Sequence, residues 1–321
     1  MVCKYYIELA KVRLTAMVLL TTAVGYVLGA TRPFPGLEFD WCGLVWTLLG
    51  TGLAAVGAGT LNQIIEIDRD GRMERTRRRP LPSRAISRTH ALLFAMLNLA
   101  AGLGVLNELV RPLAALLGLA NVLIYTLVYT PLKARTPWCT PIGAICGALP
   151  PVMGWVGAGG GLRLEPALLA ATMLLWQVPH SLSLVWMDRA DYARAGYRML
   201  PVVDPSGRLT TLTIALYWLA LMPLGLVASF CRLAGFLFGA VSLLLGLVLF
   251  LLALRLRSAK TRQEARRVFL ASVIYLPLLL LAMVADPPAH GPPRGKMSRG
   301  AVGQTTRQPS GLSYSTVRLL S

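Results

Sequence analysis

Nine apolar runs, each close to the length of a bilayer crossing, constrain this chain more than any other feature. They cover Leu14–Ala30, Gly43–Leu61, Ala91–Asn107, Pro112–Leu132, Pro141–Ala158, Pro166–Met187, Leu209–Phe230, Leu233–Leu254 and Val268–Ala285. A hydrocarbon core takes about 20 mostly apolar helical residues, and in lipid each backbone polar group must be satisfied within its own segment. The expected fold is all-α: a polytopic membrane protein of about nine transmembrane helices around a central cavity that opens to the cytoplasmic side. The expected organisation is a cytoplasmic N-terminus over 1–13, a membrane domain over 14–285 and a disordered basic tail over 286–321.

A net charge of +18 would suit a nucleic-acid binder, but in a chain that is 55% hydrophobic it belongs to loops between spans, and no nucleic-acid partner is expected. Lys4, Lys11 and Arg13 precede the first run, an arginine-dense segment follows the second, and further clusters follow the fourth, sixth and eighth. The opposite connections hold only Arg32, Arg111, Arg163 and Arg232. The positive-inside rule puts the N-terminus and every even-numbered connection in the cytoplasm. The expected location is a bacterial cell inner membrane, with the mitochondrial inner membrane as the alternative. The first run lacks the flanks of a removable signal peptide. Cys3, Cys42, Cys139, Cys146 and Cys231 form neither a C-x-x-C pair nor a disulfide framework and read as small buried residues.

The polar stretch Leu61–Ser87 carries the chemistry. Asn62, Glu66, Asp70 and Glu74 recur every four residues, so a continuous helix would stack one amide and three carboxylates on one face. Oxygen donors on a helix leaving the membrane suit a hard cation that also binds phosphate, and Mg²⁺ with a diphosphate is the natural pairing. The alternative is a solvated helix end neutralised by Arg69, Arg72 and Arg75. The arginines from Arg75 to Arg79 are either a topogenic patch or a pyrophosphate contact. Lys11 reads as a surface anchor in preference to a phosphate contact. Tyr129 and Lys133, four apart, offer a phenol and an ammonium, or serve as interfacial anchors.

His180 lies inside the sixth run and is either functional or a hydrogen-bonded packing residue. Asp188 and Asp191 form a second acidic cluster, and two such patches at one cavity mouth would suit more than one Mg²⁺. Small residues from Gly50 to Gly59 imply close helix packing, with a cavity beside them as the second reading.

At these residues the chain resembles the intramembrane aromatic prenyltransferases, most closely their protoheme IX farnesyltransferase branch. The acidic motif N-x-x-x-D/E-x-x-x-D matches Asn62, Glu66 and Asp70, and R-T-x-x-R-P-L matches Arg75, Thr76, Arg79, Pro80 and Leu81. Y-T-P-L-K matches Tyr129 to Lys133, G-A-x-x-G-A-L-P-P matches Gly143 to Pro151, and D-Y-x-x-A-G-x-x-M-L-P matches Asp191 to Pro201, after His180. Val12 stands where the branch has proline, and Asp188 lies three residues from Asp191 where many members have D-x-x-x-D.

The resemblance implies farnesyl transfer from farnesyl diphosphate to a vinyl group of heme b, with hydration, giving heme O. Asn62, Glu66, Asp70 and Asp191, with Asp188 set apart by its spacing, would hold Mg²⁺. Lys133, Arg75, Arg79, Tyr129 and Arg194 would contact the diphosphate, and His180 would serve the heme. A heme-modifying enzyme or a heme-copper oxidase assembly is a transient partner that such an activity would suit. The competing readings are a prenyltransferase for a quinone precursor or chlorophyll-type ring, and a membrane transporter.

Overall fold

A computed structural model describes residues 2–31, 39–231 and 233–288. Arg32 and Arg232 of the charge count, the Pro33–Gly36 link and the tail from residue 289 lie outside the described residues. Among the described residues nine helices are long and apolar enough to cross a membrane.

A short amphipathic helix α1 (Val2–Leu9) leads through a break at Ala10 and Lys11 into α2 (Val12–Thr31). Helix α3 (Trp41–Ile65) is N-capped by Asp40, whose side chain accepts from the Gly43 amide; it ends at Glu66 and is followed by the single turn α4 (Ile67–Asp70). An irregular segment of turns leads to Ser87, which caps α5 (Arg88–Val105) by accepting from the His90 amide. Helix α5 continues through a π-turn (Leu106–Val110), and Pro112 then starts α6 (Pro112–Leu123), whose missing N–H costs nothing at a first helical position. A second π-turn (Ile124–Tyr129) joins α6 to the short α7 (Thr130–Leu132). Helix α8 (Cys139–Gly157) accommodates Pro150 and Pro151, and α9 (Leu164–Met187) accommodates Pro179. After the short α10 (Arg189–Arg194) and α11 (Leu200–Val203), the last spans are α12 (Arg208–Phe230), α13 (Phe236–Ala259) and α14 (Arg262–Ala285).

Lipid provides no hydrophobic drive between helices, so close backbone packing has to hold the bundle. A Cβ on Gly25 of α2 would sit 1.9 Å from the Pro151 carbonyl oxygen of α8, and one on Gly154 of α8 would sit 2.0 Å from that of Thr22. Only hydrogen fits at either contact. On α3 the small residues divide between both readings of the sequence. Gly57 faces α5 at Ala95 and Leu99, whereas Ala54, Ala55, Ala58 and Gly59 line a cavity.

The arrangement puts α9 between α8, α12 and α14, with Trp155 and Trp218 buried among them. Outward faces stay apolar, as Leu97, Leu127, Leu244 and Leu281 illustrate, each more than 60% exposed. Such a surface suits a lipid solvent and not water. Asp286 ties the end of α14 to the start of α13: its carboxylate accepts from the Phe238 amide at 2.6 Å and its carbonyl from Gly235 at 2.7 Å.

Candidate active site

The break before α2 decides where Lys11 points. Its φ of +47° is left-handed, uncommon for a residue with a Cβ, and it turns the side chain inward. Nζ donates to Asn62 Oδ1 at 2.6 Å. Lys11 is therefore not the surface anchor expected from sequence; the chain reversal between α1 and α2 takes it off the membrane surface.

Asn62 is at the centre of a buried network. Its Nδ2 donates to Glu66 Oε2 and to Thr130 Oγ1, both at 2.9 Å. Glu66 pairs with Lys133 Nζ at 2.6 Å, and Asp70 pairs with Arg79 at 2.7 Å. Asn62, Glu66 and Asp70 are each about 97% buried or more. Tyr197 adds a hydrogen bond to Glu66. Lys133 Nζ lies 5.0 Å from the Tyr129 ring centroid and 5.6 Å from that of Tyr197, in cation–π range.

Charge fixes the protonation states. Burial acts to raise the Glu66 carboxyl, but the Lys133 ammonium, with Lys11 and the Tyr197 hydrogen bond, outweighs it and holds Glu66 below the usual carboxylate range. Burial acts to lower Lys133, but Glu66 together with Tyr129, Tyr197 and Tyr125 outweighs it, leaving Lys133 well above an ordinary lysine. Lys11 has no carboxylate in direct contact. Burial, then Arg79 and Lys133, bring it down to about 7.

Lys11 and Tyr129 connect this network to a cavity of about 220 Å³ that runs between α2, α3, α6 and α8. Its walls are mainly small or apolar, among them Ala58, Val122 and Met153, with Asn121 and Gln177 as polar exceptions. The second π-turn puts Tyr125 and Tyr129 on the cavity side, their rings stacked at 5.5 Å and 29°. Tyr129 thus faces the cavity and Lys133 the buried Glu66, and neither is an interfacial anchor.

Several expected residues sit elsewhere. Glu74 leaves the stripe because the helix stops at Asp70; it is exposed and pairs with Arg194 at 3.5 Å. Arg194 also pairs with Asp191, whose Oδ1 accepts from the Glu74 amide at 3.0 Å. Arg75 reaches the Tyr192 hydroxyl at 3.4 Å. These contacts join the segment after α4 to α10, so Asp191, Arg194 and Arg75 tie two connections together. Of the arginines in the dense patch, Arg79 is the one paired to the acidic stripe. Asp188 is turned away to Arg262 at 3.2 Å. His180 is half-buried between α9 and α14 and is not among the cavity-lining residues.

The sequence reading assigned no role to Thr130 or Tyr197. A threonine between a π-turn and a helix has no distinctive spacing, whereas Tyr197 lies within the matched stretch after Asp191.

Asn62, Glu66 and Asp70 offer hard oxygen donors on successive turns, a chemistry that fits Mg²⁺. Among the described residues no three His, Cys, Asp or Glu side chains converge on one point, and each carboxylate of the stripe is held by a cation. The donors fit the ion, provided those pairs open as it binds.

The model of the UbiA prenyltransferase family matches residues 18–274. The chain belongs to that family. A protein from Solibacter usitatus named protoheme IX farnesyltransferase is 42% identical over 287 residues, covering 88% of this chain and 98% of its own length. The solved digeranylgeranylglyceryl phosphate synthase shares the UbiA fold with a TM-score of 0.73 at 18% identity, over 88% of this chain and 98% of that one. A UbiA homolog from Archaeoglobus fulgidus, solved bound to DMAPP and Mg²⁺, superposes with a TM-score of 0.58 at 16% identity, over 88% of this chain and 99% of that one.

Proposed function

We propose that this UbiA protein transfers a farnesyl group from farnesyl diphosphate to a vinyl group of heme b, with addition of water, giving heme O and diphosphate. The observation that carries the reading is the joint placement of Lys11, Lys133 and Arg79 around Asn62, Glu66 and Asp70, at the polar end of an apolar cavity. The name of the 42%-identical relative, protoheme IX farnesyltransferase, supports the acceptor.

The chain's residues supply each step. Lys133 and Arg79 exchange their acidic partners, and Lys11 its Asn62 contact, for diphosphate oxygens and neutralise the leaving group as the carbon–oxygen bond breaks. Asn62, Glu66 and Asp70 would hold Mg²⁺, which would supply further positive charge against the diphosphate. Ala54, Ala58, Val122 and Met153 line the isoprenoid's path and exclude water from the allylic cation. Tyr125 and Tyr129 present π-faces, which stabilise positive charge developing beside them. The vinyl carbon attacks that cation, and the new cation beside the porphyrin takes up water and releases a proton. The site opens to the cytoplasm, and the N-terminus lies on that side.

Mass analysis of hemes extracted from membranes incubated with heme b, farnesyl diphosphate and Mg²⁺ tests the reading. A heme heavier by one farnesyl group plus water is expected, and the folded Asp70→Asn variant should form none. Diphosphate release with unaltered heme would reassign the acceptor, and full activity in Asp70→Asn would remove the metal assignment.

A further inference from the structure

One histidine within a spanning helix takes no part in the network above. His180, on α9, lies between Trp176 and Phe269 of α14, with ring centroids 4.6 and 4.8 Å away and interplanar angles of 21° and 30°. Its Nδ1 is 2.8 Å from Ser272 Oγ. That oxygen is also 2.6 Å from the Phe269 carbonyl oxygen. A hydroxyl has one proton and a carbonyl can only accept. The Ser272 proton therefore goes to Phe269, Oγ accepts from His180, and Nδ1 carries the imidazole proton. Ser272 is fixed in turn by Trp176, whose Nε1 donates to its carbonyl at 2.9 Å.

This arrangement fixes the tautomer. Nε2 is left with its lone pair and no hydrogen-bond partner among the described residues. Packing does not account for it. A phenylalanine would fill the aromatic stack equally well and would leave no ring nitrogen without a partner. An imidazole clamped on both faces, donating through Nδ1 to a fixed oxygen and presenting a bare Nε2, has the requirements of a metal ligand with its supporting hydrogen bond.

Its position suits the large acceptor. Gln177, three residues earlier on α9, lines the cavity, and residues at that spacing are neighbours about 5–6 Å apart.

On the reading that heme b is the acceptor, we infer that His180 Nε2 ligates the heme iron and positions the porphyrin for prenyl transfer. A neutral Nε2 cannot donate to a propionate, which leaves iron as the group on the acceptor that it can hold.

The test uses full-length protein in detergent micelles with one equivalent of ferrous heme b, read by resonance Raman spectroscopy. An iron–histidine stretch is expected in the wild type. It should vanish in His180→Phe, with heme affinity reduced at least tenfold, and move to lower frequency in Ser272→Ala, where Nδ1–H loses its acceptor. His180→Met, expected to replace the histidine signal with that of a thioether ligand, serves if His180→Phe does not fold. A stretch that persists without His180 would assign the iron to His90 or His290, the other two of the three histidines, and overturn the inference. Heme O formation by a wild type that shows no such stretch would overturn it and leave the proposed function standing. Failure to bind heme, with no heme O formed, would remove both.

Discussion

Lys11 shows how a single backbone angle assigns a side chain to chemistry. The left-handed conformation costs a residue with a Cβ about 1–2 kcal/mol, and the position would accept glycine without strain. The φ of +47° is thus held against a local preference, and the contact it secures is the one to Asn62. Lys11→Gly should keep or raise thermal stability, by about 1 kcal/mol at most, while lowering prenyl transfer about 100-fold through loss of a charge at the leaving group. Parallel melting curves and turnover rates check this; a destabilised but fully active variant would make Lys11 a structural residue. Sequence alone does not give this residue away. A lysine before a spanning helix reads as an anchor, and nothing in the pattern encodes the reversal that turns it inward. The four-residue stripe was legible as far as Asp70 and misleading at Glu74, because periodicity does not say where a helix stops.

At the level of elements, the nine spans were legible as apolar runs, and their ends were fixed by groups the runs do not contain. Helix α12 is an example. Gly207 precedes it with a φ of +66°, and a Cβ there would meet the Trp186 ring at 2.1 Å. Asp204 accepts from the Thr210 amide at 2.8 Å and from its hydroxyl at 3.0 Å. Burial acts to raise the Asp204 carboxyl, but hydrogen bonds from Thr210, Ser206 and Gly207 outweigh it and hold the group below the usual carboxylate range. A depressed folded-state pKa stabilises above the unfolded value, about 3.9, and that contribution fades as pH falls through the folded one. Asp204→Ala should lose about 1 kcal/mol at neutral pH. The gap between wild-type and variant melting temperatures should narrow below pH of about 4; a gap independent of pH would assign the loss to packing. Asp188 teaches the same lesson about distance. Its partner Arg262 lies 74 residues along the chain, so motif spacing could not indicate that the two meet.

For the whole molecule, the asymmetry of charge gives an orientation that single-sided labelling can read. A cysteine at Arg78 should react with an impermeant maleimide, above the wild-type background, in inverted vesicles. One at Gly161 should react in right-side-out spheroplasts. The opposite pattern would turn the protein over and put the site on the other face of the membrane.

The pairing within the site also sets the order in which its ligands can arrive. Three basic side chains face two carboxylates there, and Lys11 titrates near neutrality, so the pocket behaves as a small anion exchanger loaded with its own acids. Such a resin repels a lone divalent cation and admits one escorted by a polyanion. Mg²⁺ alone should leave the melting temperature unchanged, whereas Mg²⁺ with inorganic pyrophosphate should raise it. A full shift from the metal by itself would mean that the acids part from Lys133 and Arg79 before any substrate enters.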